Sequence, residues 1–227
     1  MQPKEGASQT TTATAEAAPA AVETAAALLP SRAYLTVSVD DTGEIHETSR
    51  FRYLPGHPRQ IRFDAKAGVF NVGGDKVLGK SISFIPVALR IFSDNILNMG
   101  RKIWAELFFV DEAGAVCAVL FHGYSVENLQ KLNASLFYDD LKLTDVLLTV
   151  TAEKKQTVKD DKPATYYIAE FNYTAAVPAE VRARQEFAYD YDLYREETIT
   201  GAADMRLVQG YRLPEGYEPH RQLAAAN

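Results

Sequence analysis

A chain of 227 residues has room for one large domain or one domain with appendages, and 47% hydrophobic with 11% aromatic residues suffice for a real core. Its formal net charge of -6 argues against a general polyanion binder. No run approaches the ~18 apolar residues of a membrane span, the start lacks a charged-then-apolar secretory pattern, and a single cysteine excludes an internal disulfide, so a reducing, cytoplasmic setting is expected.

Residues 1–30 are Ala, Thr, Glu and Pro with no aromatic residue. Such a segment buries too little apolar surface to offset its own ordering and is expected to be a disordered tail. Apolar and polar residues alternate from Ala33 to Val39, Asp40-Asp41-Thr42-Gly43 supplies turn chemistry, and Glu44–Thr48 returns. Residues 31–58 should therefore give an accessory hairpin and a linker made irregular by Pro55, Gly56 and Pro58.

Ile61–Val72 is β-rich, with Lys66-Ala67-Gly68 able to turn or bulge it, and Gly73-Gly74-Asp75-Lys76 forms a loop without the residue order of a phosphate loop. Ser81–Phe92 reads as another strand, which Pro86 places at an edge or bulges. Arg101–Val110, the turn Asp111-Glu112-Ala113-Gly114 and Ala115–Phe121 predict a hairpin of two long strands. Ser125 is a suitable N-cap for a helix over Val126–Phe137, where Val126, Leu129, Leu132 and Leu136 share one face. Leu143–Ala152 and Thr165–Tyr173 read as closing strands on either side of a ten-residue hydrophilic loop, Lys154–Pro163. Residues 174–227 form an acidic aromatic extension, helical over Glu180–Glu197 and without a regular period from 198 onward.

Several strands, one late helix and a closing hairpin are the element order of a small Greek-key barrel. The expected fold is mainly β: an OB-fold-like five-stranded barrel with one helix over residues 59–173, plus the accessory hairpin and a helical or irregular C-terminal extension. Other β-barrels and sandwiches share this coarse order.

Little supports catalysis. His46, His57, His122 and His220 are scattered over different elements without zinc-ligand spacing. The pairs Asp111-Glu112, Asp139-Asp140 and Asp160-Asp161 fit turns and helix ends better than acid/base chemistry. Cys117 lies in an apolar strand and reads as a buried structural thiol. Neither an enzymatic activity nor a metal or other cofactor is expected.

Binding of a nucleic-acid strand finds more support. It needs cations for phosphates and aromatic faces for bases. Residues 50–110 hold 10 basic against 4 acidic side chains, so the first half of the proposed barrel is basic within an acidic protein. Strand alternation puts Lys102, Trp104, Glu106 and Phe108 on one face and Ile103, Ala105, Leu107 and Phe109 on the other. The first set, with Arg101 beside it, suits a base-stacking groove; the plainer reading is that Trp104 fills the barrel end. Arg62, Lys66, Lys76, Lys80 and Arg90 are further groove cations, and Phe70 and Phe84 further stacking candidates. Lys154, Lys155 and Lys159 sit in the closing loop, where OB-folds clamp ligands.

The element order, the strand and turn RKIWAELFFVDEAG and the helix SVENLQKL before the last hairpin resemble the OB-fold single-stranded DNA-binding proteins of bacteria and their phages, over residues 59–173. The resemblance implies sequence-tolerant coating of exposed DNA in replication or recombination, with no cofactor, frequent oligomers, and replication or recombination proteins as partners. Such proteins often end in a flexible acidic tip. This chain ends PHRQLAAAN instead, with an acidic aromatic run near Asp190. The rival reading is a structural or assembly β-domain that binds protein partners through its termini.

Overall fold

A computed structural model describes residues 30–159 and 162–219, so the tail expected over residues 1–30 lies, Pro30 apart, outside the described residues. The chain is mainly β. Its strands are β1 (Leu35–Val39), β2 (Ile45–Ser49), β3 (Arg59–Asp64), β4 (Val69–Val72), β5 (Lys76–Gly79), β6 (Ser81–Phe84), β7 (Pro86–Asn95), β8 (Arg101–Val110), β9 (Val116–His122), β10 (Val146–Lys159), β11 (Lys162–Ala175) and β12 (Asp204–Gln209). Two helices, α1 (Tyr124–Tyr138) and α2 (Pro178–Asp190), follow β9 and β11.

The strands form a seven-stranded sheet in the order β12-β7-β8-β9-β3-β4-β5, a three-stranded sheet β11-β10-β6, and the ribbon β1-β2 expected from the alternation around Asp40–Gly43. The two larger sheets share one run of sequence. Pro86 has no N–H to carry a ladder onward, the register slips between Pro86 and Ala88, and the chain passes there from β6, paired with β10, into β7, paired with β8. The bulge read from Pro86 is the corner between the sheets.

The turn after β8 is built as its sequence dictates. Asp111 Oδ1 accepts the N–H groups of Ala113 and Ala115 at 3.0 and 2.8 Å. Gly114 takes φ 78°, and an added Cβ would stand 2.5 Å from the Arg50 carbonyl oxygen, so only glycine fits.

Two cores flank the large sheet. Between the sheets and α1 lie Leu89, Ile91, Leu107, Phe109, Val119 and Phe121 with Val126, Leu129, Leu136, Leu148, Val150 and Phe171. On the sheet's other face, Val87, Ala88, Phe108, Val110, Val116 and Ala118 pack under Phe187 of α2, Leu193, Tyr194 and Tyr211, with Tyr34 and Phe51. Consecutive residues such as Phe108 and Phe109 are therefore both buried, on opposite sides, which is why Leu107–Val110 is an unbroken apolar run.

Several expectations need correction. The barrel is not closed: β3 occupies the far edge of β9 in parallel pairing, and β11 satisfies its own edge otherwise. Tyr167 N–H donates to Ala65 O at 2.8 Å, Ala169 N–H to Ser125 Oγ at 2.9 Å, and Asn128 Nδ2 to Ala169 O at 3.1 Å. Ser125 is thus not a cap; the N-cap is Gly123, with no side-chain hydrogen bond. Lys154–Pro163, read as a loop because it is hydrophilic, extends the closing hairpin, whose pairing runs from Val146↔Ala175 to Lys159↔Lys162. Residues 198 onward do contain a strand. β12 pairs with β7 from Asp204↔Ser93 to Gln209↔Leu89, and its mostly exposed side chains left no hydrophobic period to read.

Candidate nucleic-acid interface

The face chosen by alternation on β8 is sealed. Trp104 is 1% exposed, and its indole N–H donates to the Asp94 carbonyl at 3.0 Å. Phe108 and Phe70 are wholly buried, and Phe84 is stacked at 4.0 Å on Phe109 inside the inter-sheet core. Arg90 is also wholly buried. These five cannot present a ring or a charge to a ligand, and their assignment to a groove is corrected: alternation grouped the β8 residues properly, but the C-terminal segment lies over them.

What covers that face is a buried polar lock. Arg90 stands opposite Glu106 in the β7–β8 register and reaches its carboxylate at 2.8 Å, both side chains fully buried. Arg90 Nη2 also donates to Thr198 O and Oγ1 at 2.9 and 2.7 Å, and Thr198 Oγ1 donates to Glu106 at 3.0 Å. The guanidinium is sandwiched between the Phe92 ring at 3.9 Å and the Tyr211 ring at 4.5 Å. An ion pair without water needs such extra hydrogen bonds to offset its desolvation. The partners come from β7, β8 and the C-terminal segment, so the cover is pinned by chemistry as well as by apolar contact.

The exposed cations lie elsewhere, in two groups. The first surrounds the stem of the β10–β11 hairpin. Lys80 O accepts the Ala152 N–H at 2.8 Å, continuing the β6 pairing along one edge of β10, and Ala65 O accepts the Tyr167 N–H on the outer edge of β11. Lys80 and the Lys66 turn thus flank the stem, and Lys154 stands directly opposite Tyr167 across it. Lys66, Lys80 and Lys154 are exposed, and among the described residues none of them forms an ion pair. The Tyr167 ring rests on the β3–β4 turn at Gly68, where a Cβ would come within 2.5 Å of it and φ is +67°. Arg62 and Lys76 are exposed on β3 and β5. Lys155 faces the other way and pairs with Glu153 at 2.9 Å. The Lys159 side chain lies outside the described part of the structure.

Tyr166 and Tyr167 were missed by sequence reading, although a signal existed. Lys154 and Lys155 sit as far before Asp160-Asp161 as Tyr167 and Tyr166 sit after it, so a two-residue turn there puts each lysine opposite a tyrosine.

The second group is Arg101, exposed, and Lys102, partly covered with its ammonium 5.9 Å from the Trp104 ring. Arg101 stands opposite Asn95 at the end of β7, whereas Lys80 precedes β6. The two groups lie at opposite ends of the bent β6–β7 run. Lys102 joins a small cavity with His122, whose pKa is lowered by burial and then by the Lys102 ammonium.

Other reactive groups are accounted for by structure. Burial pushes the Cys117 thiol up to about 12, and the Asp111 carboxylate adds to this, so it stays protonated. Asp40, Glu44 and His46 bring three ligand-type atoms within 4.8 Å of one another, but Asp40 Oδ1 already accepts from Thr42 N–H, Thr42 Oγ1 and Glu44 N–H at 2.8, 2.6 and 2.9 Å. That is the turn chemistry of the β1–β2 ribbon. No helix is long and apolar enough to cross a membrane among the described residues.

No protein-family model, curated protein or solved structure matches this chain.

Proposed function

We propose that the protein binds single-stranded nucleic acid without reading its sequence, through the stem of the β10–β11 hairpin and not through the β8–β9 face. The observation that carries this is the set of exposed Lys66, Lys80 and Lys154 around Tyr167, none of them in an ion pair among the described residues. Cations that neutralise phosphates beside a ring on which bases stack are the two requirements of sequence-tolerant binding. On this reading DNA in replication or recombination is the substrate, and the protein is not an enzyme and carries no cofactor.

We also infer that the fold is a modified OB-fold. The bent run β6–β7 followed by β8, β9, α1, β10 and β11 has the order of its five strands and helix, and the fold is known for a barrel that is partly open. In this chain β3–β5 would then be an insertion that takes the place beside β9. An OB-fold binds through the face of its second and third strands and the loops beside it; with that face sealed here, the closing hairpin is the remaining candidate.

Anisotropy titration of a labelled oligo-dT at two salt concentrations tests the reading. Binding should weaken as salt rises. Replacing Lys66, Lys80 and Lys154 by Ala should flatten the dependence of log affinity on log salt by about 0.7 per lost phosphate contact. Absence of binding at low salt would overturn the proposal. An assembly role has one observation in its favour: Phe137 and Tyr138 at the end of α1 are 73% and 84% exposed and in edge contact at 5.7 Å. Exposed rings of that size commonly mark a contact surface.

A further inference from the structure

At the end of β8 and β9 furthest from the corner at Pro86, a cavity of about 360 Å³ opens beneath the first turn of α1. Its floor is apolar, Ile103 from β8 and the buried Val126 from α1, and both side chains continue into the inter-sheet core. Lys102, His122, Glu127 and Gln130 stand around it. The volume is at the small end of the range for ligand sites, which hold a flat apolar body and orient it by a few polar groups. Here those groups span the full repertoire: the lysine donates, the carboxylate accepts, and the amide does both.

Three features select the ligand class. The imidazole of His122 is held edge to face against Trp104, with ring centroids 5.2 Å apart at 74°, so it offers a fixed aromatic wall. The polar groups suit a heterocycle with mixed donors and acceptors on its edge. The ammonium of Lys102, which lines the cavity, suits a phosphate.

We propose that this cavity is a subsite for one nucleobase, packed on Ile103 and Val126 beside the His122 ring, with its polar edge met by Glu127 and Gln130 and its phosphate by Lys102. The site is separate from the hairpin lysines. It rests on the single-strand reading only for the source of the base, which is either a nucleotide within a bound strand or a free nucleoside monophosphate.

Trp104 is the only tryptophan and touches both His122 and Lys102, so its fluorescence reports occupancy. The full chain is titrated with thymidine and adenosine monophosphates, with oligo-dT, and with an abasic oligomer of the same length, while labelled oligo-dT is followed by anisotropy. Monophosphates and oligo-dT should both change Trp104 emission, and the abasic oligomer should not. His122→Ala, and Glu127→Phe on the exposed first turn of α1, which adds bulk without a second indole, should each raise by about tenfold the ligand concentration needed for half of the emission response, the order expected for one stacked base. Thermal melting verifies that each variant is folded, and Glu127→Phe serves alone if His122→Ala is not. Silent emission with anisotropy intact, or two folded variants that respond like the parent, overturns the subsite and leaves hairpin binding standing. An emission response to monophosphates with flat anisotropy for oligo-dT supports the subsite and overturns the single-strand reading.

Discussion

The β8 strand and the β10–β11 hairpin carry similar side chains and end in opposite circumstances. On β8, Lys102, Trp104 and Phe108 share a face with Arg90 and Glu106, and all but the lysine are buried under the C-terminal segment. On the hairpin, Lys154 and Tyr167 share a face at a stem flanked by Lys66 and Lys80, and the three lysines remain exposed. Residue type and alternation are equally suggestive in the two places. What separates them is whether a later part of the chain returns to cover the face, a long-range event that no local pattern records.

The contrast can be broken most forcefully at the buried lock. Glu106→Ala leaves the Arg90 guanidinium enclosed without its carboxylate and is expected to cost about 3–5 kcal/mol, measured by urea unfolding. A cost below about 1 kcal/mol, the level of an exposed pair, would mean that the cover lifts readily and that the sealed face is open to ligands after all. Trp104→Ala should cost a similar ~3–5 kcal/mol as a truncated core ring, while the folded variant keeps most of its affinity for oligo-dT. A groove tryptophan would show the reverse.

At the hairpin, Gly68→Ala introduces a Cβ at φ +67° against the Tyr167 ring and should cost about 1–3 kcal/mol, with weaker oligo-dT binding because the ring is displaced. The triple change of Lys66, Lys80 and Lys154 to Ala should leave stability within about 0.5 kcal/mol, and its signature is confined to salt-dependent binding. The smallest effect is a titration. His122 has a lowered pKa in the fold, so the unfolded chain binds the proton more readily and stability falls as pH drops from above the ordinary histidine pKa through the folded one. His122→Asn should remove that part of the decline in melting temperature between pH 7.5 and pH 5.5, and an identical decline in both proteins would contradict the assignment.

Local chemistry made much of the fold legible. The β1–β2 ribbon, the β8–β9 hairpin, the apolar face of α1 and the bend at Pro86 all follow from residues adjacent in sequence. Phe108 beside Phe109 is the mark of a strand buried on both faces, and reading Phe108 into a groove missed it. The covering layer is α2 and residues 191–217, whose anchors, Thr198 and Tyr211 among them, hold the sheet through partners about a hundred positions away. The hairpin's length was hidden by composition: Lys154–Val158 has no apolar period because its side chains are exposed or half-exposed on both faces, and backbone pairing extends it. Of the candidate site, the lysines were legible as charges, and their assembly around Tyr167 was not, since it depends on Ala65 and Lys80 meeting the two edges of one hairpin.

The lock between Arg90, Glu106 and Thr198 also imposes an order on synthesis. Glu106 leaves the ribosome 92 residues ahead of Thr198, which at about 5–20 residues per second is an interval of about 5–20 s. Throughout it the nascent chain holds a finished β8–β9 hairpin whose outer face, with Trp104, Phe108 and Val110, lacks the Thr198 lock and the Tyr211 ring that complete its cover. A chain stalled before residue 190 is therefore expected to be a client of chaperones that grip apolar strands, and release from them should coincide with translation of the Thr198 segment.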